Sequence, residues 1–344
     1  MILRCLEVVS HMAGVRNRAA RHEGKERVRI RIRGTRGEPA TQRSGLGAGR
    51  RRWCFGKPLL ALGLLLPYWS LSGCMAPRYG ASAMISPPEG AALPVRVREG
   101  LLLVPVRMGA DGVDHWCLLD TGTDRALFDA NLCRKLGLAP RQSTSIVAAT
   151  GAEVEAHELL PIQSLRVGPI EFRDVDAASI DLQQLRDHAK LPIEGILGCD
   201  LFRGSLLELD LSARSVYVRP MRNTPSEQPI RFDGRVPVVP AMLAGKPLEV
   251  LVDTGFQSLL AVPPEMALDW RFPPRTTGEL ATLDGIQDHG SGRALGTLTV
   301  GPLRFQDPWV MVAKGQPKIG MWALRRSKLT LDAAGGRIWI QTAP

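Results

Sequence analysis

The chain has 344 residues, 44% of them hydrophobic, which is enough apolar sequence for two lobes with a core each. Its net charge of +10 lies in residues 1–52, which hold 14 Lys and Arg against 4 Asp and Glu; the other 292 residues hold 30 of each sign. This neutral body lacks the basic surface that nucleic-acid-binding proteins use, so no nucleic acid is expected as a partner.

An export signal is predicted between residues 50 and 74. Arg50-Arg51-Arg52 and Lys57 precede an apolar stretch that ends in Leu71-Ser72-Gly73-Cys74. These last four residues resemble the lipobox of bacterial lipoproteins, which implies a lipid on Cys74 and membrane attachment in the cell envelope, facing the periplasm or the exterior. The alternatives are a simple signal peptide or an uncleaved anchor, although Lys57 and Pro67 interrupt the roughly 20 apolar residues that a spanning helix needs.

Composition divides the chain into five parts. Residues 1–74 form the basic extension and signal segment, and residues 75–92, rich in Pro, Gly, Ala and Ser, read as a tether. A first lobe is expected over residues 93–220 and a second over residues 230–344. The polar segment 221–229 is expected to link them.

Short apolar runs separated by turn residues predict an all-β fold in both lobes. In the first lobe the predicted strands are Leu101–Met108, Trp116–Leu119, Ile146–Ala149, Val154–Ala156, Leu165–Val167, Ile170–Phe172, Leu206–Leu211 and Ser215–Val218. In the second lobe they are Val236–Leu243, Leu248–Val252, Leu298–Val300, Trp309–Val312, Leu329–Leu331 and Arg337–Gln341.

The two lobes share an internal repeat. Asp120-Thr121-Gly122 recurs 133 residues later as Asp253-Thr254-Gly255, and an apolar run precedes each triplet. Further matching pairs are Leu165–Phe172 with Leu298–Phe305, at the same offset, and Leu197-Gly198 with Ile319-Gly320, at an offset of 122. The first copy therefore carries about eleven extra residues, which we place near Ser179–Leu191. The repeat predicts two homologous lobes, with a short helix soon after each triplet.

Two equivalent triplets predict a paired-carboxylate site. If the lobes meet about a pseudo-twofold axis, Asp120 and Asp253 approach each other, and because two close carboxylates do not both ionise easily, they share a proton. The ionised member can then take a proton from water while the protonated member polarises a carbonyl group. Glycine lets each loop turn tightly, and each Thr hydroxyl can bond backbone across the interface.

Further motifs carry a family resemblance over residues 93 to 342. Ile196-Leu197-Gly198, continued by Cys199-Asp200-Leu201-Phe202, is similar to an apolar-apolar-glycine signature, to which Ile319-Gly320 corresponds in the second lobe. Leu209-Asp210 and Val216-Tyr217-Val218 match a closing hairpin, and Ala149-Thr150-Gly151-Ala152 looks like the tip of a flap. The chain thus resembles a tandem retropepsin-like, pepsin-clan aspartic protease.

This resemblance implies two β-barrel lobes and an aspartic-type endopeptidase. Asp120 and Asp253 would be the catalytic pair, and Thr150 with Gly151 would lie in a flap over a bound peptide. The residues that shape the active-site loops would be Thr121, Gly122, Thr123, Thr254 and Gly255. We expect a peptide or protein substrate, no cofactor and no metal, and a monomer, because one chain supplies both lobes.

The second lobe departs from this pattern at two positions. Phe256 stands where Thr123 supplies a hydroxyl in the first lobe, and Lys318 stands where Ile196 is apolar. Lys318 either points to solvent or approaches Asp253, where it would hold that carboxylate ionised. These departures leave two alternatives: a catalytically silent envelope module that binds peptides or serves as a scaffold, and a duplicated β-domain in which both aspartates only form turns.

Overall fold

The structure is a computed structural model that describes residues 82–84, 88–109 and 111–342. The predicted signal segment and Cys74 lie outside the described residues. No helix among those described is long and apolar enough to cross a membrane.

Strands dominate both halves of the described chain, as the short apolar runs predicted. The elements of the first half are β1 (Ser82–Met84), β2 (Ala91–Leu93), β3 (Arg96–Arg98), β4 (Leu101–Met108), β5 (His115–Leu119), β6 (Ala126–Asp129), α1 (Ala130–Lys135), β7 (Pro140–Val147), β8 (Glu153–Leu159), β9 (Ile162–Val167), β10 (Ile170–Val175), β11 (Ala177–Ile180), α2 (Gln183–Ala189), β12 (Gly195–Leu197), β13 (Leu206–Asp210) and β14 (Ser215–Arg219). Short 3-10 turns cover Cys199–Phe202 and Met221–Asn223.

The second half repeats much of this order. Its elements are β15 (Ile230–Arg231), β16 (Val238–Leu243), β17 (Lys246–Val252), β18 (Leu260–Val262), β19 (Trp270–Thr282), β20 (Gly285–Ala294), β21 (Thr297–Val300), β22 (Leu303–Gln306), β23 (Trp309–Val312), β24 (Lys318–Ile319), α3 (Met321–Leu324), β25 (Ser327–Asp332) and β26 (Arg337–Thr342).

These strands form three sheets. The first-lobe sheet runs β1-β10-β9-β4-β5-β12-β6-β11-β8-β7, with β3 paired to β4, and the second-lobe sheet runs β19-β20-β23-β18-β24-β17-β16-β21-β22. The third sheet, β15-β26-β25-β13-β14-β2, takes three strands from each half. At its centre β13 and β25 pair antiparallel, with Leu207 opposite Leu331 and Leu209 opposite Leu329. The fold is all-β, with two homologous lobes related by a pseudo-twofold axis and a shared sheet between them.

Two apolar clusters form the core. The larger cluster extends through both lobes and the shared sheet, and includes Phe172, Leu209, Val252 and Leu329. The smaller cluster belongs to the first lobe and contains Leu118, Leu127 and Ile196. Leu185 of α2 and Leu283 from the β19–β20 turn pack against this smaller cluster, so α2 and the long hairpin together cover it.

Part of the predicted tether forms β-strands that pair with the folded body. Within residues 75–92, β1 pairs with β10 and most of β2 pairs with β14 of the shared sheet. Composition suggested an unstructured link because Pro, Gly, Ala and Ser favour loops. An open sheet edge can nevertheless pair with the backbone of any extended segment, since the ladder uses main-chain groups.

Two features of local structure differ from the sequence-based expectation. A helix follows the first triplet, where Asp129 caps α1, but Pro263-Pro264 and turns follow β18 in the second lobe. The extra residues near Ser179–Leu191 contain α2, whereas the equivalent connection after β23 runs directly to β24. The order of the strands repeats in the two lobes, but α1 and α2 occur only in the first.

Candidate active site

Each Asp-Thr-Gly triplet is positioned by a pair of parallel strands. β5 leads to Asp120 and pairs with β12, and β17 leads to Asp253 and pairs with β24. The Asp120 N–H donates to the Leu197 carbonyl at 3.0 Å, and the Asp253 N–H donates to the Ile319 carbonyl at 2.9 Å. The glycine signatures therefore hold the start of both loops in the same way.

The two threonines join the loops to each other through four hydrogen bonds. Thr121 Oγ1 donates to the Val252 carbonyl at 2.6 Å and accepts from the Thr254 N–H at 3.1 Å. Thr254 Oγ1 donates to the Leu119 carbonyl at 2.8 Å and accepts from the Thr121 N–H at 3.0 Å. Both threonines are buried. This reciprocal arrangement fixes the aspartates relative to each other.

The glycines leave room for the opposite carboxyl group. A Cβ built on Gly122 would lie 2.8 Å from Asp253 Cγ, and one built on Gly255 would lie 2.6 Å from Asp120 Cγ. Such distances are shorter than real Cβ contacts. Any larger residue at either position would push the two carboxyl groups apart.

The two carboxyl groups lie close together, because a Cβ on Gly122 would lie 2.9 Å from Asp253 Oδ1 and 3.1 Å from Asp120 Oδ1. Burial and then the charge of Asp253 raise the pKa of Asp120 to about 7, although hydrogen bonds from Thr123 and Gly122 oppose the shift. A carboxyl group with this pKa keeps its proton in weakly acidic solution. A raised pKa on one of two neighbouring carboxyl groups is the pattern expected when such a pair shares one proton.

The two lobes bond the Oδ1 atoms of the pair alike but give the Oδ2 atoms different partners. Gly122 and Gly255 donate their N–H groups to the Oδ1 atoms of Asp120 and Asp253, at 2.7 Å and 2.8 Å. Thr123 Oγ1 donates to Asp120 Oδ2 at 2.9 Å, whereas Lys318 Nζ lies 3.4 Å from Asp253 Oδ2. Of the two alternatives for Lys318, the structure has the second, because its side chain is buried against Asp253 and does not point to solvent.

The glycine signatures pack closely against the active-site loops. Ile196, Leu197 and Ile319 are buried, and a Cβ on Gly198 would collide with the main chain of Thr123 and Arg125. The loop after each signature bonds back to its triplet loop: Cys199 N–H donates to the Thr123 carbonyl at 2.9 Å. In the second lobe Met321 N–H donates to the Phe256 carbonyl at 2.7 Å, and a Cβ on Gly320 would strike that same carbonyl.

The flap candidates Thr150 and Gly151 lie at the tip of the β7–β8 hairpin, which reaches the second lobe. Thr150 Oγ1 donates to Asp284 Oδ2 at 2.7 Å. A Cβ on Gly315 would overlap the Ala149 carbonyl, so this tip also lies against the loop that precedes β24. Asp284 belongs to the turn of the β19–β20 hairpin, which the sequence pattern did not predict.

Two further features of the site concern metal binding and the thiol of Cys199. No group of three or more His, Cys, Asp or Glu residues suited to a metal ion occurs in the described ranges. Cys199 donates its thiol to the Thr121 carbonyl at 3.2 Å, and burial followed by the nearby carboxylates raises the pKa of this thiol well above its usual value. It therefore remains a neutral thiol beside the pair.

Comparison with known families gives the same division of the chain. The family model described as aspartyl protease matches residues 104–201 and residues 239–322, one segment in each lobe. Each segment contains one triplet and its glycine signature, and together they cover more than half of the chain. Curated proteins gave no match. With both triplets, both signatures and the paired carboxyl groups in place, the chain belongs to the aspartyl protease family.

Proposed function

We propose that the protein is an aspartic-type endopeptidase in which Asp120 and Asp253 activate water for attack on a peptide bond. The observation that carries this proposal is the close approach of Asp120 and Asp253 at the ends of two loops that Thr121 and Thr254 bond together. The raised pKa of Asp120, about 7, agrees with it. A neighbouring carboxylate and a carboxylic acid can act together as general base and general acid. No covalent intermediate and no cofactor is needed for this chemistry.

The hairpins support a peptide as the substrate. The β7–β8 tip contacts the second lobe through Asp284, and Leu283 of the β19–β20 turn packs on the first lobe. Both hairpins therefore cross between the lobes, and an extended peptide held beneath them could pair with their main-chain groups as an added strand. Because both aspartates come from one chain, we propose a monomer as the active form.

Cleavage of an unfolded protein at acidic and neutral pH tests the proposal. Asp120→Asn and Asp253→Asn should each lower the rate by at least about a hundredfold, because each removes the general acid or the general base. Asp269→Asn serves as a matched control. Asp269 also lies near a lysine, with its side chain 3.9 Å from Lys246, but it is exposed and lies outside the pair. Cleavage that survives both pair substitutions would exclude the mechanism.

The silent peptide-binding module remains the second candidate, because Lys318 contacts Asp253 and Phe256 replaces a hydroxyl. It predicts that an extended peptide binds to the purified protein without being cut at any pH. Measuring peptide binding and product formation in the same samples separates the two functions.

We also propose that the mature protein is a lipoprotein of the bacterial cell envelope, held by a lipid on Cys74. The support is the sequence alone: three arginines, an apolar stretch and Leu71-Ser72-Gly73-Cys74. Cys74→Ser should move the protein from the membrane fraction to the soluble fraction. A variant that stays with the membrane would favour the uncleaved anchor instead.

A further inference from the structure

The two unusual residues of the second lobe lie in contact with each other. Lys318 Nζ is 5.3 Å from the centre of the Phe256 ring, and both side chains are buried. An ammonium group over an aromatic face is stabilised by the ring, more so when water is excluded. Phe256 therefore favours a charged Lys318 in a place where burial alone would disfavour the charge.

Lys318 also occupies a defined place in the repeated frame. It lies opposite Leu251 of β17 and opposite Ala261 of β18, as Ile196 lies opposite Leu118 and Leu127 in the first lobe. From this position its ammonium group reaches Asp253 Oδ2, at 3.4 Å. The corresponding oxygen of Asp120 is bonded instead by Thr123. Lys318 thus contacts the oxygen that a hydroxyl at position 256 would bond.

We propose that Lys318 and Phe256 form one compensating unit, in which Lys318 replaces the missing hydroxyl and fixes Asp253 as the ionised member of the pair. This inference rests on the proposed function only for its catalytic consequence. Lys318 acts through Asp253 and is a positioning residue. The proton of the pair then resides on Asp120, and the two carboxyl groups have fixed roles before substrate binds.

Fixed roles define the path of each proton. Asp253 takes a proton from water as the water oxygen bonds to the peptide carbonyl carbon, and Asp120 gives its proton to the carbonyl oxygen. The carbon–nitrogen bond then breaks as Asp253 passes its proton to the leaving nitrogen, and a hydroxyl of the intermediate returns a proton to Asp120. The products are a carboxylic acid and an amine, and the pair regains its starting state.

The groups that face Asp253 are consistent with this assignment. They are Asp120 across the pair, Lys318 on β24 and the neutral thiol of Cys199. Asp120 has its pKa raised to about 7 by burial and then by the charge of Asp253. A positive charge beside one carboxyl and a raised pKa on the other both favour the same single-proton state.

Substituting both unusual residues gives a sharp test. Lys318→Ile places an aliphatic side chain where the first lobe has one, so the fold is expected to tolerate it. Phe256→Thr with Lys318→Ile rebuilds the first-lobe arrangement in the second lobe. Lys246→Met, at an exposed position, is the matched control for loss of a lysine.

The expected readout is a change in the acidic limb of the pH–rate profile. In Lys318→Ile this limb should move up by about one pH unit, so that the rate falls by about tenfold at pH values on the limb, because nothing replaces the ammonium group. The double variant should recover most of that loss. Unchanged profiles in Lys318→Ile, or a rate above wild type across the whole pH range, would overturn the inference.

A second measurement does not depend on activity. In protein with ¹³C-labelled Asp carboxyl groups, the Asp253 signal, assigned with Asp253→Asn, should titrate at higher pH in Lys318→Ile than in the wild type. Equal titration in both proteins would overturn the inference. An inactive wild-type protein that still shows this difference would instead refute the proposed function while keeping the role of Lys318.

Discussion

The hydroxyl groups of Thr121 and Thr254 connect two chain segments that are 133 residues apart. The sequence could predict that these hydroxyls bond backbone across the interface, because both triplets are identical and the lobes repeat. It could not predict the contact of Lys318 with Asp253, because that contact depends on how β17, β18 and β24 pack around one side chain.

Thr254→Val is expected to destabilise the protein by about 2 kcal/mol, because it leaves the Leu119 carbonyl and the Thr121 N–H buried without their partner. Urea unfolding measures the loss. Thr254→Ser is the matched control: it keeps the hydroxyl and should retain most of the stability. Destabilisation by Ser without destabilisation by Val would show that the methyl group, and not the hydrogen bonds, is what matters.

Asp120 is expected to make the stability of the protein fall as pH rises. Its pKa is about 7 in the folded chain against an ordinary value of 3.8, so between these values the folded state keeps a proton that the unfolded state has lost. Stability from this source is complete below about pH 4 and is lost as pH approaches about 7.

Asp120→Asn removes that dependence. The variant should be more stable than the wild type at about pH 8, by on the order of 2 kcal/mol, and the gain should vanish below about pH 4. Denaturant unfolding of both proteins at the two pH values measures the difference. A gain that does not change with pH would mean that ionisation of Asp120 is not its cause.

At the scale of elements, apolar strands were predictable and exposed ones were not. Leu101–Met108 was predicted with the bounds that the structure gives, because nearly all of its side chains are buried and the sequence is correspondingly apolar. The β19–β20 hairpin was missed. Its first strand contains Pro273-Pro274, its pairing has three register shifts, and hardly any of its residues are buried, so no alternation of apolar side chains marks it.

The insertion in the first lobe gains a structural explanation from this hairpin. A Cβ on Gly285 would lie 3.5 Å from Gln184 Oε1 of α2, and Leu283 packs on the same apolar cluster as Leu185. The extra residues therefore form a surface against which the turn of the second-lobe hairpin packs. The sequence offset revealed that residues were inserted, but their partner lies about a hundred positions away in a strand pair that the pattern did not show.

Asp284→Ala should loosen the tip of the β7–β8 hairpin, because it removes the acceptor of the Thr150 hydroxyl. One hydrogen bond of about 1 kcal/mol corresponds to roughly fivefold faster hydrogen exchange in residues 148–152, if local opening limits the exchange. Mass spectrometry of peptides from this hairpin measures the rate. Asp288→Ala, an exposed change on β20, is the control, and identical exchange in both variants would show that the hydrogen bond does not hold the tip.

At the scale of the whole molecule, the shared sheet decides how the lobes behave. β13 and β25 pair from Leu207 opposite Leu331 to Asp210 opposite Lys328, and the larger apolar cluster continues through this junction. The repeat predicted two equivalent lobes, but not that each lends three strands to a common sheet. A lobe separated from its partner would expose the edge of β13 or β25 together with buried leucines.

We therefore expect the described body to unfold in one cooperative transition. Trp116 reports on the first lobe and Trp270 on the second, so two variants, each retaining one of these tryptophans and Phe at the other sites, should show the same urea midpoint by fluorescence. Leu209→Ala, in the shared sheet, should shift both midpoints together, because its cost of about 3 kcal/mol falls on a core common to both lobes. Two separate midpoints, or a shift confined to the Trp116 probe, would show that the lobes fold independently and that the sheet only joins them.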